Sequence, residues 1–163
     1  MTAIHAIDAA IRAGDLDALR GLFHDDGAFP NVRDECGALL LIAAIYHAPV
    51  GLVRDLVDAG ADVNADPGDG FPSLIAAVDR LTDDRYEVLE LLLDAGADVQ
   101  QRGINDYTVL HHAACRDDAR AVSLLLRRGA DPHARTRIDH YATPLEEAER
   151  FGHGPGAAAL RDA

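Results

Sequence analysis

The 163-residue sequence contains no lysine, no tryptophan, one methionine and two cysteines. All 15 basic residues are arginines, against 28 acidic residues, so the formal net charge is −13. A surface that follows nucleic-acid phosphates needs a positive patch, so this balance argues against a nucleic-acid partner. Two distant cysteines, Cys36 and Cys115, cannot build a disulfide framework.

Long apolar runs are also absent. The longest spans residues 38–46, whereas a membrane-spanning helix needs about 20 residues. The first twenty residues lack a basic segment followed by an apolar one, as a secretory signal would have. We therefore expect a cytoplasmic protein with no membrane contact.

The acidic charge lies almost entirely in the first part of the chain. Residues 1–100 hold 19 acids and 6 arginines, whereas residues 101–163 hold 9 of each. With 48% hydrophobic and 26% charged residues, the sequence predicts a folded domain rather than a disordered chain. The acidic charge of residues 1–100 either keeps the protein soluble or attracts a partner with a basic patch.

Two motifs recur along the chain. Gly-Ala-Asp occurs at 60–62, 96–98 and 129–131, each time after an apolar stretch with helical spacing. A leucine followed by alanines precedes each stretch, and these leucines, Leu40, Leu74, Leu110 and Leu145, lie 34 to 36 residues apart. With a degenerate first copy, the chain divides into five units.

Each unit is predicted to be a pair of helices. The alanines let helices approach closely, the leucines of the second helix supply an apolar face, and the glycine ends that helix. One such pair cannot bury its apolar face alone, so neighbouring units must stack into an elongated solenoid.

Residues 105–114 and the triplet Thr143-Pro144-Leu145 carry a recognisable pattern. Through them the sequence resembles ankyrin-repeat proteins across nearly all of the chain. The resemblance implies an all-α solenoid with β-turn loops, and a structural, hydrogen-bonding role for His111. Ala38 and Pro72 replace the family's threonine, so threonine capping should be missing in units two and three. The expected units are 1–33, 34–66, 67–102, 103–138 and 139–163.

The resemblance further implies partner binding through the loop tips and the concave face made by the first helices. On that face, the residue two after each leucine and the one four further on should share an exposed stripe. These pairs are Ile42/Tyr46, Ala76/Arg80, His112/Arg116 and Glu147/Phe151.

Four of the eight aromatic residues fall on this mapped surface. Interfaces favour tyrosine and arginine as anchors, so these aromatics together with neighbouring arginines form the candidate binding site. The alternative is that the aromatics only fill space against adjacent turns. The candidate partner-binding residues are Tyr46, Phe71, Arg80, Tyr107, His112, Arg116 and Phe151.

The predicted function is non-catalytic binding of another protein by a monomer, without cofactor or metal. A small-molecule site or unusual enzyme near Tyr107, His112 and Asp79 in units three and four is the alternative. Side chains from adjacent helices lie about 10 Å apart, which makes a catalytic triad hard to assemble. Arg135 and Arg137 either order the last long turn by ion pairing or bind an acidic group of the partner.

Overall fold

The computed structural model describes residues 3–24, 27–34, 37–138, 140–152 and 154–163. In this part of the chain ten α-helices follow one another in five pairs. The first helices of the pairs are α1 (Ala3–Ala13), α3 (Leu40–His47), α5 (Ser73–Asp79), α7 (Val109–Cys115) and α9 (Pro144–Arg150). The second helices are α2 (Leu16–Leu22), α4 (Val50–Asp58), α6 (Arg85–Asp94), α8 (Ala119–Arg127) and α10 (Pro155–Arg161).

The pairs stack in sequence order, as the repeat pattern predicts. Each first helix packs against the next first helix, from α1 through α9, and contacts between α2 and α4, α4 and α6, and α8 and α10 join second helices. The face made by the first helices and their loop tips is the one that the resemblance to ankyrin-repeat proteins predicts to be concave, and we call it the concave face. The fold is the predicted all-α solenoid.

Alanines and leucines form one continuous core through the stack. Ala44, Ala77 and Ala113 of the first helices are fully buried, which allows the close helix approach expected from their small side chains. Leu56 and Leu92 of the second helices are also fully buried. The core therefore belongs to the stack rather than to any one unit.

Glycines end three of the five second helices, α4, α6 and α8. Gly60, Gly96 and Gly129 have φ of +97°, +88° and +86°, the left-handed conformation that glycine adopts without a side-chain clash. After each glycine, the next N–H bonds back into the helix, as in the 2.9 Å bond from Ala61 N to Leu56 O. This closure is a Schellman-type cap and confirms the predicted C-caps.

Only some first helices have a side-chain cap. Thr108 and Thr143 form capping boxes with His111 and Glu146. Leu39 and Pro72, which take the N-cap position in units two and three, make no side-chain capping bond. The prediction of lost threonine caps is therefore confirmed.

Amide side chains connect each long loop to the next. Asn31 donates to Gly60 O at 3.0 Å and accepts from Asp62 N at 2.7 Å. Asn64 repeats both bonds one unit later, with Gly96 O and Asp98 N. Gln100 donates to Gly129 O at 3.2 Å. These amides hold successive loops in register.

The loops within units two and three differ in length. His47 belongs to α3, and Ala48 and Pro49 alone connect that helix to α4. In unit three, residues 80–84 connect α5 to α6, which begins with Arg85 and Tyr86. Tyr86 belongs in the helix because its ring lies 4.0 Å under the Arg120 guanidinium of α8 and its hydroxyl donates to Asp118.

Candidate interaction surface

An aspartate joins two units at the centre of the concave face. Asp79 ends α5, and its Oδ1 forms a hydrogen bond with His112 Nε2 and an ion pair with Arg116 Nη1, each at 2.9 Å. Burial would raise the pKa of Asp79, but the His112 bond and the Arg116 charge outweigh it and hold that pKa below its usual value. The mapped residues His112 and Arg116 therefore lie together, fixed by one carboxylate.

Tyr46 lies on α3, next to this cluster. Its side chain is half-buried, and burial, with the charges of Asp79 and Asp69, raises the pKa of its hydroxyl to about 12. The hydroxyl is therefore a neutral hydrogen-bond donor at physiological pH. Tyr46, Asp79, His112 and Arg116 form a polar group that we call the inner cluster.

Tyr107 lies at the base of the loop before α7. Its ring stacks on His111 with centroids 5.4 Å apart and an interplanar angle of 13°. Burial is the main cause that raises its pKa, followed by the neighbouring Cys115 and Glu147. Burial also raises the pKa of the Cys115 thiol to about 11, so this cysteine is a protonated thiol at neutral pH.

His111 has the structural role that the resemblance implied. The ring is fully buried, Thr108 N donates to its Nδ1 at 3.3 Å, and Nε2 lies 3.0 Å from Ala142 O in the next unit. The proton is assigned to Nε2, since Nδ1 accepts from a backbone N–H. Burial lowers the pKa of His111, which favours the neutral ring that this arrangement needs.

Phe151 and Phe71 differ in exposure. Phe151 caps the C-terminus of α9 and is 56% exposed, with the Arg150 guanidinium 5.9 Å from its ring centre. Phe71 is partly buried against the core, and its backbone N–H donates to Asp69 Oδ1 at 3.0 Å. Phe151 is thus presented to solvent, whereas Phe71 also has a packing role.

Arg80 was expected on the exposed stripe, and this expectation was wrong. It is 3% exposed and donates to the carbonyls of Ile45 and Ala48, the latter at 2.7 Å, and to Asp84. The residue follows the last turn of α5, where its side chain turns back toward the end of α3. Arg80 therefore ties two units together rather than facing a partner.

The inner members of three mapped pairs are also buried. Ile42, Ala76 and Glu147 are 6%, 0% and 3% exposed. Their helices are covered by neighbours: α3 lies between α1 and α5, α5 lies between α3 and α7, and α9 packs against α7 and α10. The exposed stripe is therefore narrower than expected and lies nearer the C-terminal ends of the first helices.

The arginines of the last long turn form intramolecular ion pairs. Arg135 Nη1 bonds to Glu146 at 3.0 Å and to Tyr141 O at 2.7 Å. Arg137 Nη2 bonds to Asp106, near the other end of the same unit, at 2.6 Å. These contacts favour the interpretation that Arg135 and Arg137 order the last long turn by ion pairing. Asp139, two residues after Arg137, lies outside the described residues.

A cleft at the N-terminal end of the concave face was not foreseen from the sequence. It encloses about 490 Å³ between α1 and α3. Isoleucines at helical spacing in α1 were the signal that could have indicated it. We call it the N-terminal cleft; its lining includes Ile4, Ile7, Ile11, Ile42, Ala43, Tyr46, Asp8, Asp34 and Asp69.

The alternative of an enzyme or small-molecule site gains no support from this geometry. Asp79 and His112 bond directly to each other, and Cys115 is held as a thiol rather than as a thiolate.

In the described residues, every helix is too short or too polar to cross a bilayer.

Comparison with protein families and curated proteins extends the structural evidence. A family model of three ankyrin repeats matches residues 6–103, and a single ankyrin repeat matches residues 105–137. A mitochondrial disaggregase of Bos taurus is 32% identical over 148 residues, covering 88% of this chain and 21% of that protein. A putative ankyrin repeat-containing protein of Treponema pallidum is 29% identical over 130 residues, covering 80% of this chain and 43% of that protein.

A third relative, the ankyrin repeat and KH domain-containing protein mask-1 of Caenorhabditis elegans, is 30% identical over 144 residues. The match covers 88% of this chain and 5% of that protein. The chain thus spans less than half the length of each of these relatives. With both family models matched and the helices paired and stacked as the repeat pattern predicts, the chain belongs to the ankyrin-repeat family, whose repeats are protein–protein interaction modules.

Proposed function

We propose that the chain binds a protein partner, without catalysis, through the concave ends of its first helices. The contact residues are Tyr46, His112 and Arg116 of the inner cluster, with Phe151 at one end and Tyr107 and Phe71 at the loop bases. The division into five units, a cytoplasmic location and a monomeric state belong to the same proposal.

The supporting observation is the position of Arg116 and Phe151. The Arg116 side chain is 43% exposed although Asp79 anchors it, and Phe151 is 56% exposed on the same series of helix ends. A preorganised arginine and an exposed aromatic ring lose little conformational freedom on binding, and both are common interface anchors. Arg80 is left out of the proposal because it is buried.

The test compares capture of partners by three immobilised forms of the chain. Arg116→Ala/Phe151→Ala removes the two exposed anchors, and Arg54→Ala/Arg127→Ala is a matched control that removes two exposed arginines of the second helices. Proteins from cells of the source organism are captured and quantified by mass spectrometry. We expect partners held by the wild type and by the control to be lost from the Arg116/Phe151 variant.

Equal capture by both variants would contradict the surface assignment. Circular dichroism melting of each variant checks that the fold is retained. Sedimentation equilibrium over a range of protein concentrations tests the monomeric state, since a mass that increases with concentration would contradict it.

A further inference from the structure

We propose that the N-terminal cleft binds one large apolar side chain of a partner protein, flanked in the partner's sequence by lysine or arginine. This inference rests on the proposed function, because it specifies the chemistry of the partner segment at one end of the concave face. Neither the family match nor the sequence pattern assigns a ligand to this cleft.

The floor of the cleft is apolar and firmly held. Ile7, Ile11 and Ile42 are 9%, 3% and 6% exposed and belong to the continuous core. Ile4, at the edge, is 43% exposed and offers apolar surface to an incoming group. A volume of about 490 Å³ lies within the usual range of ligand clefts, roughly 300–1,000 Å³.

The rim carries three carboxylates from three different elements. Asp34 and Asp69 belong to successive loops, and each uses Oδ1 to accept a bond within its own turn, from Ala38 N at 2.9 Å and Phe71 N at 3.0 Å. Asp8 belongs to α1 and pairs with Arg12 at 3.0 Å. The turn bonds fix where the two loop carboxylates lie.

The charge of the lining selects the partner. Among the described residues of the lining, with histidines counted as neutral, Asp8, Asp34 and Asp69 give a formal charge of −3, of which the charge of Asp8 is paired with Arg12 outside the lining. None of the described lining residues is an arginine, and their remaining titratable side chains are His5, His47 and Tyr46. Residues 1–100, which supply this lining, carry a net charge of −13. Such a field attracts basic segments and repels acidic ones.

Tyr46 connects the cleft to the inner cluster. Its side chain lines the cleft, and the charges of both Asp69 and Asp79 act on its hydroxyl. A peptide seated in the cleft therefore lies beside the hydroxyl donor of Tyr46, and its chain continues toward Arg116. The cleft thus forms one end of the proposed binding surface.

The test selects peptides without assuming a known partner. A phage-displayed library of random twelve-residue peptides is panned against the full chain, and enriched peptides are labelled with fluorescein for anisotropy titrations. We expect the enriched sequences to share a large apolar residue with lysine or arginine within three positions. Absence of any enriched peptide, or enrichment without that pattern, would overturn the proposal.

Two variants examine the floor and the rim separately. Ala43→Arg fills the cleft with a cationic side chain of high helix propensity at a partly exposed position of α3, and we expect it to weaken peptide binding about tenfold or more. Asp8→Asn/Asp34→Asn/Asp69→Asn removes three charges but keeps the side-chain oxygens that accept the hydrogen bonds of both turns. We expect this variant to bind the peptides about tenfold more weakly at low salt, and the difference from the wild type to become smaller as salt is added.

Matched controls carry the same changes elsewhere. Ala158→Arg places an arginine on the exposed side of α10, and Asp55→Asn/Asp58→Asn/Glu90→Gln removes three exposed charges from α4 and α6. Both should bind the peptides as the wild type does. If Ala43→Arg binds as tightly as Ala158→Arg, the proposal is wrong.

The results separate this inference from the proposed function. If peptide binding is weakened by Arg116→Ala/Phe151→Ala but unchanged by Ala43→Arg, the cleft inference is wrong and the proposed function of the concave face stands. If peptide binding is weakened by Ala43→Arg but partner capture is unchanged by Arg116→Ala/Phe151→Ala, the cleft inference stands and the proposed wider surface is wrong.

Discussion

At the scale of single residues, Arg80 has the largest structural role that the sequence did not reveal. Its guanidinium supplies donors to two carbonyls at the end of α3, Ile45 O and Ala48 O, while Asp84 balances its charge at 2.7 Å. Pro49 follows that helix end and has no N–H of its own to offer. A buried guanidinium from the next unit therefore completes the end of α3.

We expect Arg80→Met to lower the free energy of unfolding by about 3 kcal/mol, because two buried carbonyls lose their hydrogen-bond donor and Asp84 loses the cation with which it pairs. Arg80→Lys should recover only part of this loss, since an ammonium cannot reproduce the planar fork. Urea titration followed by circular dichroism measures both. Arg54→Met, which breaks an exposed pair with Glu87, should cost less than about 1 kcal/mol. Equal losses at Arg80 and Arg54 would contradict this role.

At the scale of elements, a close backbone contact joins the loops that precede α5 and α7. Ile104 N donates to Gly70 O at 2.6 Å, and Gly103 lies directly beside that carbonyl. A Cβ at Gly103 would collide with Gly70 O and lie 2.7 Å from Pro72 Cδ and 2.8 Å from Ile75 Cδ1. The absence of a side chain at Gly103 lets these two loops pack.

We expect Gly103→Ala to destabilise the protein by about 1–3 kcal/mol, since the two loops must separate to admit the methyl group. Gly51→Ala is the matched control: Gly51 lies within α4, and its added Cβ meets no atom within 4 Å. That change should stabilise the protein by about 0.5–1 kcal/mol. Thermal melts of both variants suffice, and melting temperatures that shift in the same direction would refute the argument.

At the scale of the whole molecule, acid stability depends on carboxylates that pair across elements. The hydrogen bond from Arg80 is the main cause that lowers the pKa of Asp84 to about 2, from a usual value of 3.8. Hydrogen bonds from Arg137 likewise lower the pKa of Asp106. A carboxylate whose folded pKa is depressed stabilises the fold above its unfolded pKa, and that contribution is lost as the pH falls toward the folded value.

We therefore expect the contribution of Asp84 to be complete above about pH 4 and to disappear between about pH 4 and pH 2. The measurement is the difference in free energy of unfolding between wild type and Asp84→Asn, from urea titrations at pH 6, 4 and 2.5. The difference should shrink across that window. A constant difference would show that Asp84 contributes by packing rather than by charge.

Structural features that depend on residues close in sequence, such as helix caps, were predicted correctly. Features that depend on contacts with an adjacent unit, such as the burial of charged side chains, were not. The glycine caps at Gly60 and Gly96 and the missing cap at Pro72 follow from neighbouring residues, and all were confirmed. Arg80 and Glu147 are buried because adjacent parts of the stack cover them, and for Arg80 the adjacent unit supplies two backbone carbonyls that repeat spacing alone does not locate. The acidic rim was hidden for the same reason, since Asp8, Asp34 and Asp69 meet only after three units stack.

The reach of Arg80 back to α3 bears on how the chain can be shortened. A fragment that stops at residue 66, the expected end of unit two, would contain all of α3 but leave Ile45 O and Ala48 O without their donor. The shortest N-terminal piece that keeps this closure, together with the carboxylate that neutralises it, extends through Asp84. The boundary between these two repeats in the primary structure is thus not a place where the polypeptide can be divided cleanly.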